Sequence, residues 1–244
     1  MIRPDRLSAL VSRFALDVTA GSEADANLAI CRAPPSDRPD RIVFTPAEPL
    51  PPCAAPTRVF VASVRWGGPD NPLVSALPAR IELDIRHDEA MQNLAALIVS
   101  EHEERRCGSG AVVDRLGEVL LVRLLRRQLE RGAATSGLLA GLADARLSLA
   151  IVAMHEHPGR PWRVEQLAGV AGLSSSRFAE RFARTVGRTP MSYLRDWRMA
   201  LAREDVRRGE RVQRVAERYG YASGEALSRA FRRRFGTSPR KTRF

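Results

Sequence analysis

Two stretches of the chain spell one pattern twice, and that duplication restricts the fold more than any other feature. GVAGLSSSRFAERFARTVGRTP runs from Gly169 to Pro190, and ERYGYASGEALSRAFRRRFGTSP from Glu217 to Pro239. Phe178 and Phe182 stand over Leu227 and Phe231, and Gly187-Arg188-Thr189-Pro190 over Gly236-Thr237-Ser238-Pro239, each at an offset of 49. Upstream, Gly172 and Gly220 lie 48 apart, so the second copy carries one extra residue in its turn. Repetition at this length marks a duplicated supersecondary element.

Each copy reads as helix, turn, helix. In the first, Val164 to Ala171 forms a short helix, Gly172 permits a tight turn, and Ser174 or Ser175 caps a second helix that runs to Val186. In the second, Val212 to Tyr219 is followed by the turn Gly220-Tyr221-Ala222, then by Ser223 as the cap of a helix ending at Phe235. Residues 178 and 182, and likewise 227 and 231, are four apart and share one face of their helix. The opposite faces carry Ser176, Arg177, Glu180, Arg181 and Arg184 in one copy and Glu225, Ser228, Arg229, Arg232 and Arg233 in the other. A polar helix face presented by a tight turn fits the major groove of DNA. Between the copies, PMSYLRDWRMALAREDVRRG reads as one helix of about 28 Å, close to one turn of B-DNA. One polypeptide would thereby reach two successive major grooves.

Charge favours the same partner. The chain carries a net +11, but Gly159 to Phe244 holds 21 Arg or Lys against 8 Asp or Glu, leaving 18 against 20 before it. A positive field confined to the repeated half suits a polyanion.

These residues resemble the AraC/XylS type of transcription regulators. VQRVAERYGYAS followed by SRAFRRRFGTSP, with WRMALAR in the joining helix, is similar to that family's signature, and the likeness covers about Leu147 to Phe244. By position it implies base-facing sites at Ser176, Ala179 and Glu180 in the first unit and at Gly224, Glu225 and Arg229 in the second. With the capping serines and the basic positions, the expected DNA-binding set is Ser175, Ser176, Arg177, Ala179, Glu180, Arg181, Arg184, Ser223, Gly224, Glu225, Ser228, Arg229, Arg232 and Arg233. Three positions depart from the family pattern: Leu227 and Thr242 replace aromatics, and Asp205 replaces an apolar residue, changes expected to soften the second unit's core.

The N-terminal half is less regular. Asp5 to Val18 has helical spacing, while eight prolines fall between Cys31 and Thr57. Strand character is confined to 41–45, 57–64 and 79–85. Helical stripes follow: Met91, Leu94, Leu97 and Ile98, then Val112, Val113, Leu116, Val119, Leu120, Leu124 and Leu125, separated at Gly108-Ser109-Gly110. A third helix is expected from Leu138 to Met154, ending before His157-Pro158-Gly159-Arg160-Pro161. NPLVSALPARIELD and AVVDRLGEVLLVRLLRRQL resemble a subgroup of the family whose sensor is a cupin-like barrel. A complete barrel of about eight strands needs most of the first 88 residues. The expectation is therefore an α+β chain with an abbreviated cupin-like sensor over 1–87, a helical dimerisation segment over 88–157, and a double helix-turn-helix domain over 158–244.

No catalytic residue, cofactor or metal ligand is expected. A cupin-type oxygenase needs a histidine-rich site, yet none of the four His lies within the strand segments. A methyl-accepting repair protein needs a zinc-held cysteine, and Cys31, Cys53 and Cys107 lack ligand spacing. His155-Glu156-His157 is a poor metal pair, since residues two apart diverge on a helix. A nucleoid or RNA-binding protein would bind without sequence preference. No apolar run reaches membrane length, and MIRPDRLSALVSRF has charges where a signal peptide is apolar, so a cytoplasmic protein is expected. The partners expected are promoter double-stranded DNA and a second copy of the chain, seated on helix 112–125 because Leu120, Leu121, Leu124 and Leu125 exceed what a short barrel can cover. RNA polymerase is a further candidate partner. The proline-rich stretch 31–57 is expected not to enclose a small-molecule effector.

Overall fold

The computed structural model describes residues 16–51, 57–66, 77–131 and 136–242, with Leu7, Asn71 and Val74. They form two compact units, one built on 16–51, 57–66, Val74 and 77–131, the other on 136–242 together with Leu7 and Asn71. The segment 88–157, expected as a separate helical region, is divided between them at about residue 131.

The first unit is an antiparallel sheet with two helices. Its strands are β1 (Leu16–Ala20), β2 (Leu28–Arg32), β3 (Arg41–Phe44), β4 (Thr57–Trp66) and β5 (Ile81–Asp84), in the order β1-β4-β2-β3-β5. The central strand β2 pairs Ala29 with Val43 on one side and Val61 on the other, and these small side chains pack with Ala26, Cys31 and Leu50. Leu28 and Ile30 project to the opposite face beside Ile42, Phe44, Phe60 and Ala62, all buried. Being covered on both faces, β2 has no polar alternation, which explains why periodicity did not disclose it. Residues 16–18, expected at the end of a helix, belong instead to edge strand β1; apart from Leu7, the rest of that expected helix lies outside the described residues, as does Cys53.

Helices α1 (Glu89–Glu104) and α2 (Ser109–Arg131) pack against each other, α1 also against β4 and α2 against β1. Asp88 caps α1 by accepting from the Met91 N–H at 3.1 Å, and Arg105 in left-handed conformation ends it. The interruption thus falls at 105–108, with Ser109 and Gly110 inside α2. Gly117 lies flush on β1, since a Cβ there would stand 2.6 Å from Val18 Cγ1. Leu120, Leu121, Leu124 and Leu125 are completely buried within this unit. They are no exposed surplus, on a helix that packs against β1 and α1. Leu97, Val112 and Val119, which belong to the apolar stripes, are 48%, 41% and 48% exposed.

The second unit is helical. The expected helix 138–154 is two, α3 (Leu138–Ala143) and α4 (Leu147–Glu156). Asp144 breaks it: its Oδ1 accepts from the N–H groups of Arg146 (2.9 Å) and Leu147 (3.0 Å), so the carboxylate satisfies amides at the start of α4. Next come α5 (Val164–Val170), α6 (Ser175–Val186), α7 (Pro190–Arg207), α8 (Val212–Arg218) and α9 (Gly224–Phe235), then a short 3₁₀ turn, Pro239–Thr242. Thr189 caps α7, with Pro190 at its first position.

Candidate nucleic-acid interface

The repeat is a repeat in space. Helices α5 and α8 begin 48 residues apart and α6 and α9 begin 49 apart, so the extra residue of the second copy lies in its turn. Both turns pass through glycines in left-handed conformation, Gly172 (φ 63°) and Gly220 (φ 73°), which a side chain would strain. Between Ser174 and Ser175, the N-cap of α6 is Ser174, the counterpart of Ser223 at the 49-residue offset.

In α6, Phe178, Phe182 and Val186 are buried; in α9, Leu227 and Phe231 are. The first core is aromatic. Phe182 lies 5.6 Å from Phe178 and 5.7 Å from Tyr193 between ring centroids, and His155 stacks on Trp197 at 4.1 Å. His155 Nε2 and the Tyr193 hydroxyl are hydrogen-bonded at 2.6 Å, and burial lowers the imidazole pKa to about 3. This histidine is a neutral core residue. Among the described residues no group of three or more His, Cys, Asp or Glu is placed to hold a metal.

Opposite these cores lie the predicted contact residues. Ser176, Arg177, Glu180 and Arg184 are exposed on α6, with Ser175 and Ala179 half-buried; Glu225, Arg229, Arg232 and Arg233 are exposed on α9, with Ser223, Gly224 and Ser228 half-buried. Arg181 differs. Its Nε and Nη2 donate to Asp144 Oδ2 at 2.9 and 2.6 Å, so it ties α6 to the turn between α3 and α4. Burial works to raise the Asp144 pKa, but the two backbone N–H groups and Arg181 outweigh it and lower the pKa.

The second recognition helix is positioned at its N-terminus. Ser223 Oγ accepts from the Ala226 N–H at 3.2 Å, and the Gly224 N–H donates to Gln213 Oε1 of α8 at 3.0 Å. The hydrogen bond with Ser223 is the main cause that lowers the Glu225 pKa, with a smaller contribution from Arg229. Gln213 was not among the predicted residues. It sits on the first helix of its motif, where sequence offers only a polar residue on an exposed face. Arg234, also not predicted, is exposed on the last turn of α9.

Asp205, the departure expected to soften the second core, is buried but well partnered. The Tyr219 hydroxyl donates to its Oδ2 at 2.6 Å and Arg218 Nη1 at 2.5 Å. Leu227 fills its place completely, and Thr242 donates to the Ser238 carbonyl at 3.2 Å. Much of the basic charge is likewise committed to structure: Arg188 pairs with Asp196 at 2.7 Å, and Arg203 lies 4.6 Å over the Phe235 ring.

The second unit thus defines a class: two helix-turn-helix motifs joined by one 18-residue helix, each with a polar recognition face. Family models agree, one described as a helix-turn-helix domain matching residues 167–243 and one described as a cupin matching 12–130. A Streptomyces lividans protein named as an AraC-like transcription regulator is 39% identical over 171 residues, 68% of this chain and 56% of that protein. The transcriptional regulator AlkR of Acinetobacter baylyi is 31% identical over 180 residues, 71% of this chain and 58% of AlkR. The DNA-binding domain of AdpA, solved in complex with a target DNA, is 33% identical, covering 37% of this chain and 82% of that one at a TM-score of 0.35. The chain belongs to the AraC family, with a cupin domain ahead of its helix-turn-helix domain. The matches span little more than half the length of these two regulators.

Proposed function

We propose that the chain is a sequence-specific DNA-binding regulator of transcription that places α6 and α9 in successive major grooves of promoter DNA. The observation carrying this reading is the pair of exposed polar faces, on Ser176, Arg177, Glu180 and Arg184 and on Glu225, Arg229, Arg232 and Arg233, each backed by a buried core. Helix α7 separates the two motifs by about 27 Å of helical rise. The relatives are named as transcription regulators, which supports the same function here. Arg229 and Glu225 are assigned to base edges, Arg184 to phosphate.

The test is binding to selected and scrambled duplexes at fixed salt, followed by a salt titration. With six or more phosphate contacts, affinity falls by about three decades or more between roughly 50 and 200 mM salt. Arg229→Ala relaxes base preference in one element at about 1–3 kcal/mol, whereas Arg184→Ala weakens all sequences alike. Equal affinity for both duplexes would refute the reading.

The chain acts in this reading as a cytoplasmic homodimer, its seam on the exposed apolar residues Leu97, Val112 and Val119 of α1 and α2. A monomer in sedimentation of the full chain would remove that seam. Contact with RNA polymerase belongs to the same reading. Small sugars and aromatic acids leave DNA affinity unchanged, and a thermal-shift screen tests this.

A further inference from the structure

Helix α7 is not the only connection between the two motifs. Residues 158–162, which lead into α5, also lie against the turn between α8 and α9. The contact is made through the absence of side chains. A Cβ on Gly159 would stand 2.2 Å from the Arg218 carbonyl oxygen and 3.7 Å from Tyr219 Cα. The approach is reciprocal, because a Cβ on Gly220 would lie 2.7 Å from the Gly159 carbonyl oxygen.

The same segment is clamped from α7. Arg198, half-buried in the middle of that helix, donates from Nε to the Pro158 carbonyl at 2.6 Å and from Nη2 to the Arg160 carbonyl at 2.7 Å. A planar guanidinium can hold two carbonyls in fixed geometry, which an ammonium cannot. The segment is stiff in itself: Trp162 Nε1 donates to the His157 carbonyl at 3.0 Å, and the Arg160 guanidinium lies 4.2 Å over the Trp162 ring. The entry to the first motif is therefore fixed both to the joining helix and to the turn of the second motif. None of Arg198, Gly159 and Gly220 lies on α6 or α9.

We propose that this junction, Arg198 with Gly159 and Gly220, sets the separation and angle of the two recognition helices, and so selects the spacing between the two DNA elements that one protomer accepts. The proposal rests on the reading that both helices engage DNA. Joining two binding elements multiplies affinity only where the join lets both engage at once, and a rigid join restricts this to one spacing. Arg198 is on this account a positioning residue, acting on DNA through the geometry of the motifs.

The experiment is selection of bound sequences from a random duplex library by the full chain and by Arg198→Gln, Arg198→Lys and Gly159→Ala. A binding series follows in which one base pair is added or removed between the two elements. The unmodified chain is expected to return two elements at one spacing for each protomer bound. Arg198→Gln and Gly159→Ala should return the same elements at broadened or shifted spacing. Their affinity for the original site should fall by about tenfold or more, while affinity for either element alone changes by less than about twofold. Arg198→Lys, still able to hold one carbonyl, should fall between. Melting curves identify any variant that fails to fold; if Gly159→Ala does, the two Arg198 variants decide. Unchanged spacing in folded variants would overturn the proposal, as would equal loss on single elements and on the whole site. A single element selected by the unmodified chain would overturn it by a different route, since the two-groove reading would itself have failed.

Discussion

The two helix-turn-helix motifs share one pattern, yet the chain supports them by different means. The first is embedded: α3 and α4 pack over it, and Phe178, Phe182, Tyr193, His155 and Trp197 form an aromatic core whose principal polar contact is the bond between His155 and Tyr193. The second, at the far end of α7, combines its buried core of Val215, Tyr219, Leu227 and Phe231 with short-range polar links, from Tyr219 and Arg218 to Asp205, from Gly224 to Gln213, and from Ala226 to Ser223. Duplication of a motif does not duplicate its surroundings, so the two copies should fail under different insults.

The largest difference should appear on cutting into the aromatic core. Phe182→Ala, at a position without solvent exposure, should cost about 3–5 kcal/mol in urea unfolding of the full chain. A cost below about 2 kcal/mol would mean that the first motif is not held by its aromatic contacts.

Acid is the next probe. Folded His155 has a pKa of about 3, below the ordinary 6.5, because burial penalises its charged form. Between these values the unfolded chain takes up a proton that the folded chain refuses. The histidine therefore costs nothing above pH 6.5, and stability falls by up to about 1.4 kcal/mol per pH unit below it. Urea midpoints at several pH values, compared with those of His155→Leu, would isolate this slope, which should be shallower in the variant.

A smaller effect should distinguish the second motif. Tyr219→Phe removes a donor from the buried Asp205 carboxylate and should cost about 1–3 kcal/mol. Adding Asp205→Leu should recover much of that loss, since no buried carboxylate is then left short of donors. Additive losses in the double variant would show that the pair is not coupled.

The smallest effect concerns the caps. Ser223→Ala should cost about 1 kcal/mol, whereas Ser174→Ala should cost a few tenths, because only Ser223 accepts a hydrogen bond from its helix. Equal losses in melting experiments would erase this contrast between the motifs.

The motifs were legible because their information is local. Glycine turns, capping serines and apolar residues four apart are short-range signals, and they predicted α5, α6, α8 and α9 to within a residue or two. The exposed faces followed from the same periodicity, apart from the half-buried Ser228 and from Arg181, whose partner Asp144 lies 37 residues away. The sheet was less legible. β2 lacks alternation because it is central, and β1 is an edge strand paired with β4 about 46 residues downstream. Helical spacing in α2 did not distinguish Leu120, which is buried, from Val119, which is exposed, because which apolar side chain finds cover depends on α1 and β1.

By itself, the sequence determined that one element occurs twice, that a helix joins the copies, and that the basic charge is concentrated around them. These are properties of spacing and composition, and backbone geometry turns them directly into local structure. Tertiary structure alone decided that Arg181, Arg198 and Arg218 serve the fold, that Asp205 is a satisfied core residue, and that the leucines of α2 are already covered. The physical reason is that an arginine's role depends on what lies within hydrogen-bond reach of its guanidinium, and an apolar residue's role on what excludes water from it. Both depend on neighbours that are distant in the chain.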